Sequence, residues 1–161
     1  MTAVHGLDRA EGMQDSIMVD ITDTIALLHT GDRSGARNRF TAIWSRMQPM
    51  PDPYQECVLS HYMADLQDEI EKELSWDIRA FNAARRATDE AAKNHHPSLS
   101  IKDFFPSLHL NLADDYLRLG EFDSARRHLQ DGLRLLSALT DYPYATTVRG
   151  GFERIAARLN D

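Results

Sequence analysis

The chain of 161 residues has little of several features that mark common classes of protein. It has a single cysteine, which excludes a disulfide within the chain and fits a reducing compartment. Its formal net charge is −7, which argues against a nucleic-acid partner because nucleic acid requires a basic surface. No apolar run approaches the roughly 20 residues that span a bilayer, so we expect no membrane association.

The first residues lack the features of a secretory signal. Residues 1–15, MTAVHGLDRAEGMQD, contain neither a basic start nor an apolar run. We therefore expect a cytoplasmic location. We interpret residues 1–12 as a polar N-terminal lead, followed by a single helical domain over residues 13–161.

Signatures of common enzymes are missing as well. The chain contains no glycine-rich loop that would hold a phosphate and no Gly-x-Ser-x-Gly motif. Asp114 and Asp115 are adjacent on a predicted helix and point to different sides, so they are not paired carboxylates. The sequence predicts a non-enzymatic protein without a cofactor.

What the chain does contain is a clear helical hairpin over residues 106–136. Gly120 divides it, because glycine readily adopts the left-handed conformation that ends a helix. Each half has one apolar face at helical spacing. The first face consists of Leu108, Leu112, Tyr116 and Leu119, and the second of Phe122, Ala125, Leu129, Leu133 and Leu136.

This hairpin resembles the tetratricopeptide repeat (TPR), whose pattern is W-x2-L-G-x2-Y, then A-x3-F, then P. The residues that match are Leu112, Tyr116 and Ala125, while His109, Ala113, Leu129 and Ser137 stand where the family has Trp, Gly, Phe and Pro. The resemblance implies stacked helical hairpins in a right-handed superhelix. It also implies that the first helix of each hairpin lines a concave groove.

Similar signals predict two earlier hairpins. Ala36-x3-Phe40 repeats the spacing of Ala125-x3-Leu129, and Asp52-Pro53 has the residues of a helix start. We predict an all-α fold, a short TPR-like solenoid with hairpins at about 15–48, 53–93 and 103–138. The second helix of the middle hairpin is predicted over about 71–93, with Leu74, Ile78 and Phe81 on its apolar face. A C-terminal helix at about 144–159 caps the solenoid, although Gly150 and Gly151 weaken that helix by up to ~1 kcal/mol each.

The third predicted helix has a chemically distinctive strip, Cys57-x3-His61-x3-Asp65. Steps of four place these residues on one face. In the arrangement that the resemblance implies, this strip faces the groove beside the polar face of the fifth helix. We predict a protein or peptide partner there, bound by His61, Asp65, Asn111, Asp114 and Arg118, with Cys57 and Ser107 at the margin.

Three alternatives stay open from the sequence. The strip can be a solvated helix face on which His61 and Asp65 are merely paired. Cys57, His61 and Asp65 are also acceptable zinc ligands, or the basis of a Cys/His-dependent enzyme. Finally, apolar ends of a short solenoid favour a homo-oligomer.

Two other features are given structural interpretations. The acidic run Asp68, Glu69, Glu71 and Glu73 is typical of a solvated helix junction. His109 lies between Leu108 and Leu110, which predicts a half-buried histidine with a backbone partner.

Overall fold

The computed structural model describes residues 4–95, 100–139 and 142–160, with side chains from Ser16 onward except that of Tyr142. These residues form helices and connecting turns without a strand, which confirms the all-α prediction. The helices are α1 (Val4–His29), α2 (Arg33–Met47), α3 (Pro53–Asp65), α4 (Ile70–Arg86), α5 (Asp89–His95), α6 (Phe105–Arg118), α7 (Phe122–Leu136) and α8 (Tyr142–Asn160). A 3₁₀ turn at Ile101–Phe104 leads into α6.

Several helix ends confirm the sequence signals. Gly31 and Gly120 have φ values of 95° and 77°, so each supplies the left-handed conformation that follows a helix. Asp52 accepts a hydrogen bond from the backbone N–H of Gln55 at 3.0 Å and caps α3, with Pro53 as its first residue. These local interactions fix where the hairpins turn.

Two helix boundaries differ from the prediction. Helix α1 begins at Val4, within the segment that we interpreted as a polar lead, and residues 1–3 of that lead lie outside the described residues. The predicted long helix ending at Lys93 is two helices, α4 and α5. Ala87 is extended, and Thr88 starts the second helix by accepting a hydrogen bond from the N–H of Ala91 at 3.2 Å.

Helices that follow one another along the chain pack together. α1 packs on α2, α3 on α4, and α6 on α7; α4 also contacts α6, and α8 covers both α6 and α7. The main core lies among α1 to α6, and smaller apolar clusters join α6, α7 and α8. None of the described helices is both long enough and apolar enough to cross a bilayer.

The apolar faces of α4 and α7 are rotated from those predicted. On α7, Phe122 and Leu133 are 50 % and 39 % exposed, although we predicted both in the apolar stripe. On α4, Ile78 is exposed and Asp77 is buried, with 2 % of its surface accessible. A carboxyl group therefore enters the interior where the sequence suggested an isoleucine.

Candidate functional site

The seven predicted site residues lie on α3 and α6, around two cavities. Cys57, His61 and Ser107 line a cavity of about 640 Å³, here called the larger cavity. Asp65, Asn111 and Asp114 line one of about 410 Å³, the smaller cavity. Arg118 is beside the smaller cavity, where its guanidinium pairs with Asp114 at 3.4 Å.

A polar bridge joins α3, α4 and α6. The side-chain amide of Asn111 lies 3.2 Å from Nδ1 of His61 and donates to Oδ1 of Asp77 at 3.1 Å. With the amide nitrogen as donor, Nδ1 of His61 is the acceptor, which requires an unprotonated Nδ1. Burial lowers the pKa of His61 and favours the neutral ring, although the charge of Asp65 opposes this. A hydrogen bond thus links His61, which lines the larger cavity, to Asn111, which lines the smaller cavity.

Beside this bridge, three carboxyl groups come together. Glu73 and Asp77 are one turn apart on α4, Asp115 faces them from α6, and one oxygen of each lies within 4.8 Å of the others. Asp77 and Asp115 are buried, with 2 % and 1 % of their surface accessible. Oδ2 of Asp115 accepts no hydrogen bond from an N–H or hydroxyl group of the described residues, and a hydrogen bond between Asp115 and Asp77 requires that one of the two carboxyl groups be protonated. We call Glu73, Asp77 and Asp115 the carboxylate cluster.

Burial and mutual repulsion perturb the cluster. Burial raises the pKa of Asp77 to about 7, against the hydrogen bond from Asn111, which favours the charged form. Burial raises the pKa of Asp115 to about 9, and repulsion from Asp77 and Glu73 adds to the rise. Perturbed carboxyl groups next to a cavity are typical of binding and catalytic sites, and also of buried structural networks.

Arg118 supplies positive charge at the edge of the cluster. Its two terminal nitrogens each lie 2.9 Å from an oxygen of Glu73, a bidentate pairing that fixes both side chains. Nη1 is also 3.6 Å from Asp115. Arg118 therefore pairs with two of the three carboxyl groups of the cluster, those of Glu73 and Asp115.

Cys57, His61 and Asp65 do not form the ligand group that we considered from the sequence. Among the residues that the structure describes, the His, Cys, Asp and Glu side chains close enough to share one ion are those of the carboxylate cluster. Cys57 is only 1 % exposed, and burial raises the pKa of its thiol to about 12, with the charge of Glu56 adding to the rise. A protonated thiol is a poor nucleophile and a poor metal ligand.

We expect Cys57 in the folded protein to resist alkylation. At pH 8 the rate with iodoacetamide should be at least about a hundredfold lower than in urea-unfolded protein, because the thiolate is the reactive form. Mass spectrometry of samples taken over time measures both rates on the same single cysteine. Comparable rates in the two states would show that the thiol is accessible and ionised, and would restore the Cys/His alternative.

The carboxylate cluster was not predicted from the sequence. Glu73 was assigned to a solvated junction, which is wrong because it lines the smaller cavity and binds Arg118. Asp115 lies three residues after Leu112 and seven after Leu108, on the apolar face of α6. An acidic residue at such a position was the signal available in the sequence.

Comparison with protein-family models, curated proteins and solved structures finds no match to this chain.

Proposed function

We propose that the chain is a TPR-like binding module, without enzymatic activity, that holds a protein or peptide segment on the face made by α3, α6 and α8. The observation that carries this proposal is the pair of cavities on that face, one largely apolar and one charged. They adjoin where His61 touches Asn111. A segment lying across both would be recognised by two different chemistries.

The larger cavity suits an apolar anchor. Aromatic side chains from three parts of the chain line it, namely Tyr54 and Tyr62 of α3, Phe104 before α6, and Tyr144 of α8. Ring faces provide apolar contact area with few rotatable bonds, so ordering them costs little entropy. An aliphatic or aromatic side chain of the partner is the matching group.

The smaller cavity suits a cationic group. Four carboxyl groups line it, those of Asp65, Glu73, Asp114 and Asp115, against the guanidinium groups of Arg154 and Arg158. Arg158 is already paired with Asp114 at 3.1 Å. This lining and the net charge of −7 favour a lysine, an arginine or an amino terminus in the partner.

The order of packing supports the TPR-like interpretation. α1 with α2, α3 with α4, and α6 with α7 are successive helix pairs, and α8 covers the last of them. The small residues Ala36, Ala80 and Ala125 of their second helices are fully buried. A cytoplasmic location is part of the same proposal, because it fits the single cysteine.

A random peptide library displayed on phage tests the binding proposal. Selection on the wild-type protein in EDTA should enrich peptides with an apolar residue near a basic one. Two variants should each lower the affinity for those peptides by at least about tenfold, or ~1.4 kcal/mol. They are Ser107→Trp, which fills the larger cavity, and Asp114→Lys, which reverses a charge in the smaller cavity. Fluorescence anisotropy of a labelled selected peptide measures the affinities.

Matched controls place the same changes elsewhere. Asn38→Trp on α2 and Asp23→Lys on α1 alter exposed residues that line neither cavity, so both should retain wild-type affinity. If no peptide is enriched, or if the cavity variants bind as tightly as the controls, the proposed groove is wrong. The homo-oligomer remains a prediction, which light scattering at micromolar concentration would test.

A further inference from the structure

We propose that Glu73, Asp77 and Asp115 bind one divalent cation that prefers oxygen ligands, of the class of Mg²⁺ and Mn²⁺. This inference goes beyond the proposed function and does not rest on it. Its basis is the position of the three carboxyl groups and the state of one buried oxygen among them.

The geometry fits a single ion. Oxygens bound to one Mg²⁺ lie about 2.1 Å from it, so any two of them are at most about 4.2 Å apart after small adjustments. The three carboxyl oxygens lie within 4.8 Å of one another before any ion is present. Glu73 and Asp77 come from successive turns of one helix and Asp115 from a second, so the ligand set joins two packed elements.

The second observation is the unpartnered oxygen of Asp115. This side chain is 1 % exposed, and its Oδ2 accepts no hydrogen bond from an N–H or hydroxyl group of the described residues. A buried acceptor that receives no hydrogen bond destabilises the folded chain, and more so when the group is charged. A cation held between Asp115 and Asp77 would satisfy that oxygen and offset the repulsion between the two carboxylates.

The surroundings favour a hard cation that retains water. The cluster supplies only oxygen ligands, the set that Mg²⁺ and Mn²⁺ prefer over the nitrogen and sulfur ligands typical of zinc. Glu73 and Asp115 also line the smaller cavity, whose volume of about 410 Å³ has room for the waters that complete an octahedral shell. Arg118 and the amide of Asn111 hold Glu73 and Asp77 in place from outside the ligand set.

Titration with Mn²⁺, followed by electron paramagnetic resonance of the free ion, tests the site. Wild-type protein should bind one Mn²⁺ per chain, and Mg²⁺ should compete for it. Asp115→Asn should weaken Mn²⁺ binding by at least about tenfold, because it removes a charged ligand without changing size. Glu73→Gln should weaken binding as well, and it provides a second variant if the first does not fold.

The matched control is Asp123→Asn, an exposed aspartate of α7 that lines neither cavity and lies outside the cluster, which should retain the Mn²⁺ affinity. Circular dichroism and urea unfolding establish that each variant is folded. A proton shared between Asp77 and Asp115 is the competing arrangement. It predicts that Asp115→Asn keeps full stability while the wild-type protein binds no Mn²⁺.

Three outcomes overturn the proposal. The first is no saturable binding of Mn²⁺ by wild-type protein at millimolar concentration, and the second is equal affinity in wild-type protein and the folded Asp115→Asn variant. The third is loss of binding in Asp123→Asn alone. Because the peptide measurements are made in EDTA, failure of the cation site leaves the binding proposal intact, and the reverse also holds.

Discussion

Phe152→Ala is expected to lower the free energy of unfolding by about 3–5 kcal/mol, the usual cost of removing a buried phenylalanine ring. Phe152 is fully buried on α8, where it packs with Leu136 and Val148. Its ring also lies over Gly132 of α7, so this contact joins the last two helices. Urea unfolding followed by circular dichroism measures the change.

The same contact predicts strong coupling with Gly132. A Cβ at this position would lie 2.2 Å from Cζ of Phe152 and 3.0 Å from Cβ of His109. Gly132→Ala alone should therefore cost about 1–3 kcal/mol, although alanine is the better helix former. In the Phe152→Ala background the same change should cost far less, because the ring that it meets is gone.

A double-mutant cycle of Gly132→Ala and Phe152→Ala measures this coupling, and Gly150→Ala serves as a separate control. Gly150 is also within α8, but a Cβ there meets only a guanidinium nitrogen of Arg154 at 3.5 Å. This change should stabilise the protein by up to ~1 kcal/mol through helix propensity. Additive effects of Gly132→Ala and Phe152→Ala would show that the two residues are not in the contact described.

Protonation of His109 is expected to oppose folding in acid, against the buried carboxyl groups of Asp77 and Asp115, whose raised pKa values favour folding as the pH falls. Nδ1 of His109 lies 2.9 Å from Nδ1 of His128, a contact in which one ring donates an N–H and the other accepts at an unprotonated nitrogen, so the two rings cannot both be charged. Burial and the proximity of His128 lower the pKa of His109 to about 4, from 6.5 when unfolded; Asp131 opposes the shift and Arg134 adds to it. Burial also lowers the pKa of His128.

The direction follows from these values. His109 binds a proton more readily in the unfolded chain than in the folded one. The contribution of its neutral ring to the free energy of unfolding is therefore complete above pH 6.5 and is lost as the pH falls toward 4. Between pH 7 and pH 5 the loss is about 2 kcal/mol, and below pH 4 about 3 kcal/mol at 1.36 kcal/mol per pKa unit. Unfolding in urea at both pH values measures it.

Comparison of variants isolates this effect from that of the other titrating groups. The change in stability from pH 7 to pH 5 should be about 2 kcal/mol more favourable in His109→Gln than in wild-type protein, because the variant lacks the His109 contribution but keeps those of Asp77 and Asp115. His29→Gln, at the exposed end of α1, is the matched control and should show the same change between pH 7 and pH 5 as wild-type protein. If the His109 variant and wild-type protein show the same change in stability over this interval, burial does not lower the pKa of His109 in solution.

The helices and their ends were largely determined by the sequence itself. Gly31, Gly120 and Asp52-Pro53 act within one helical turn, so their effect does not depend on distant parts of the chain. The burial of Phe40 and Leu112 also follows from local periodicity. These signals were sufficient for the all-α class and for most helix limits.

The tertiary structure alone determined which polar side chains are buried and which residues they contact. Periodicity predicts the buried face of a helix only to within about one residue, or 100° of helix rotation. On α4 this error placed Ile78 on the buried face, whereas Asp77 is the buried residue. From the sequence, Gly151 was predicted only to weaken its helix. In the structure a Cβ at this position would lie 2.5 Å from a methyl carbon of Leu110, so glycine allows the close packing of α8 on α6. The carboxylate cluster and the histidine pair each join residues from different helices, and the relative positions of packed helices depend on long-range contacts that no local pattern encodes.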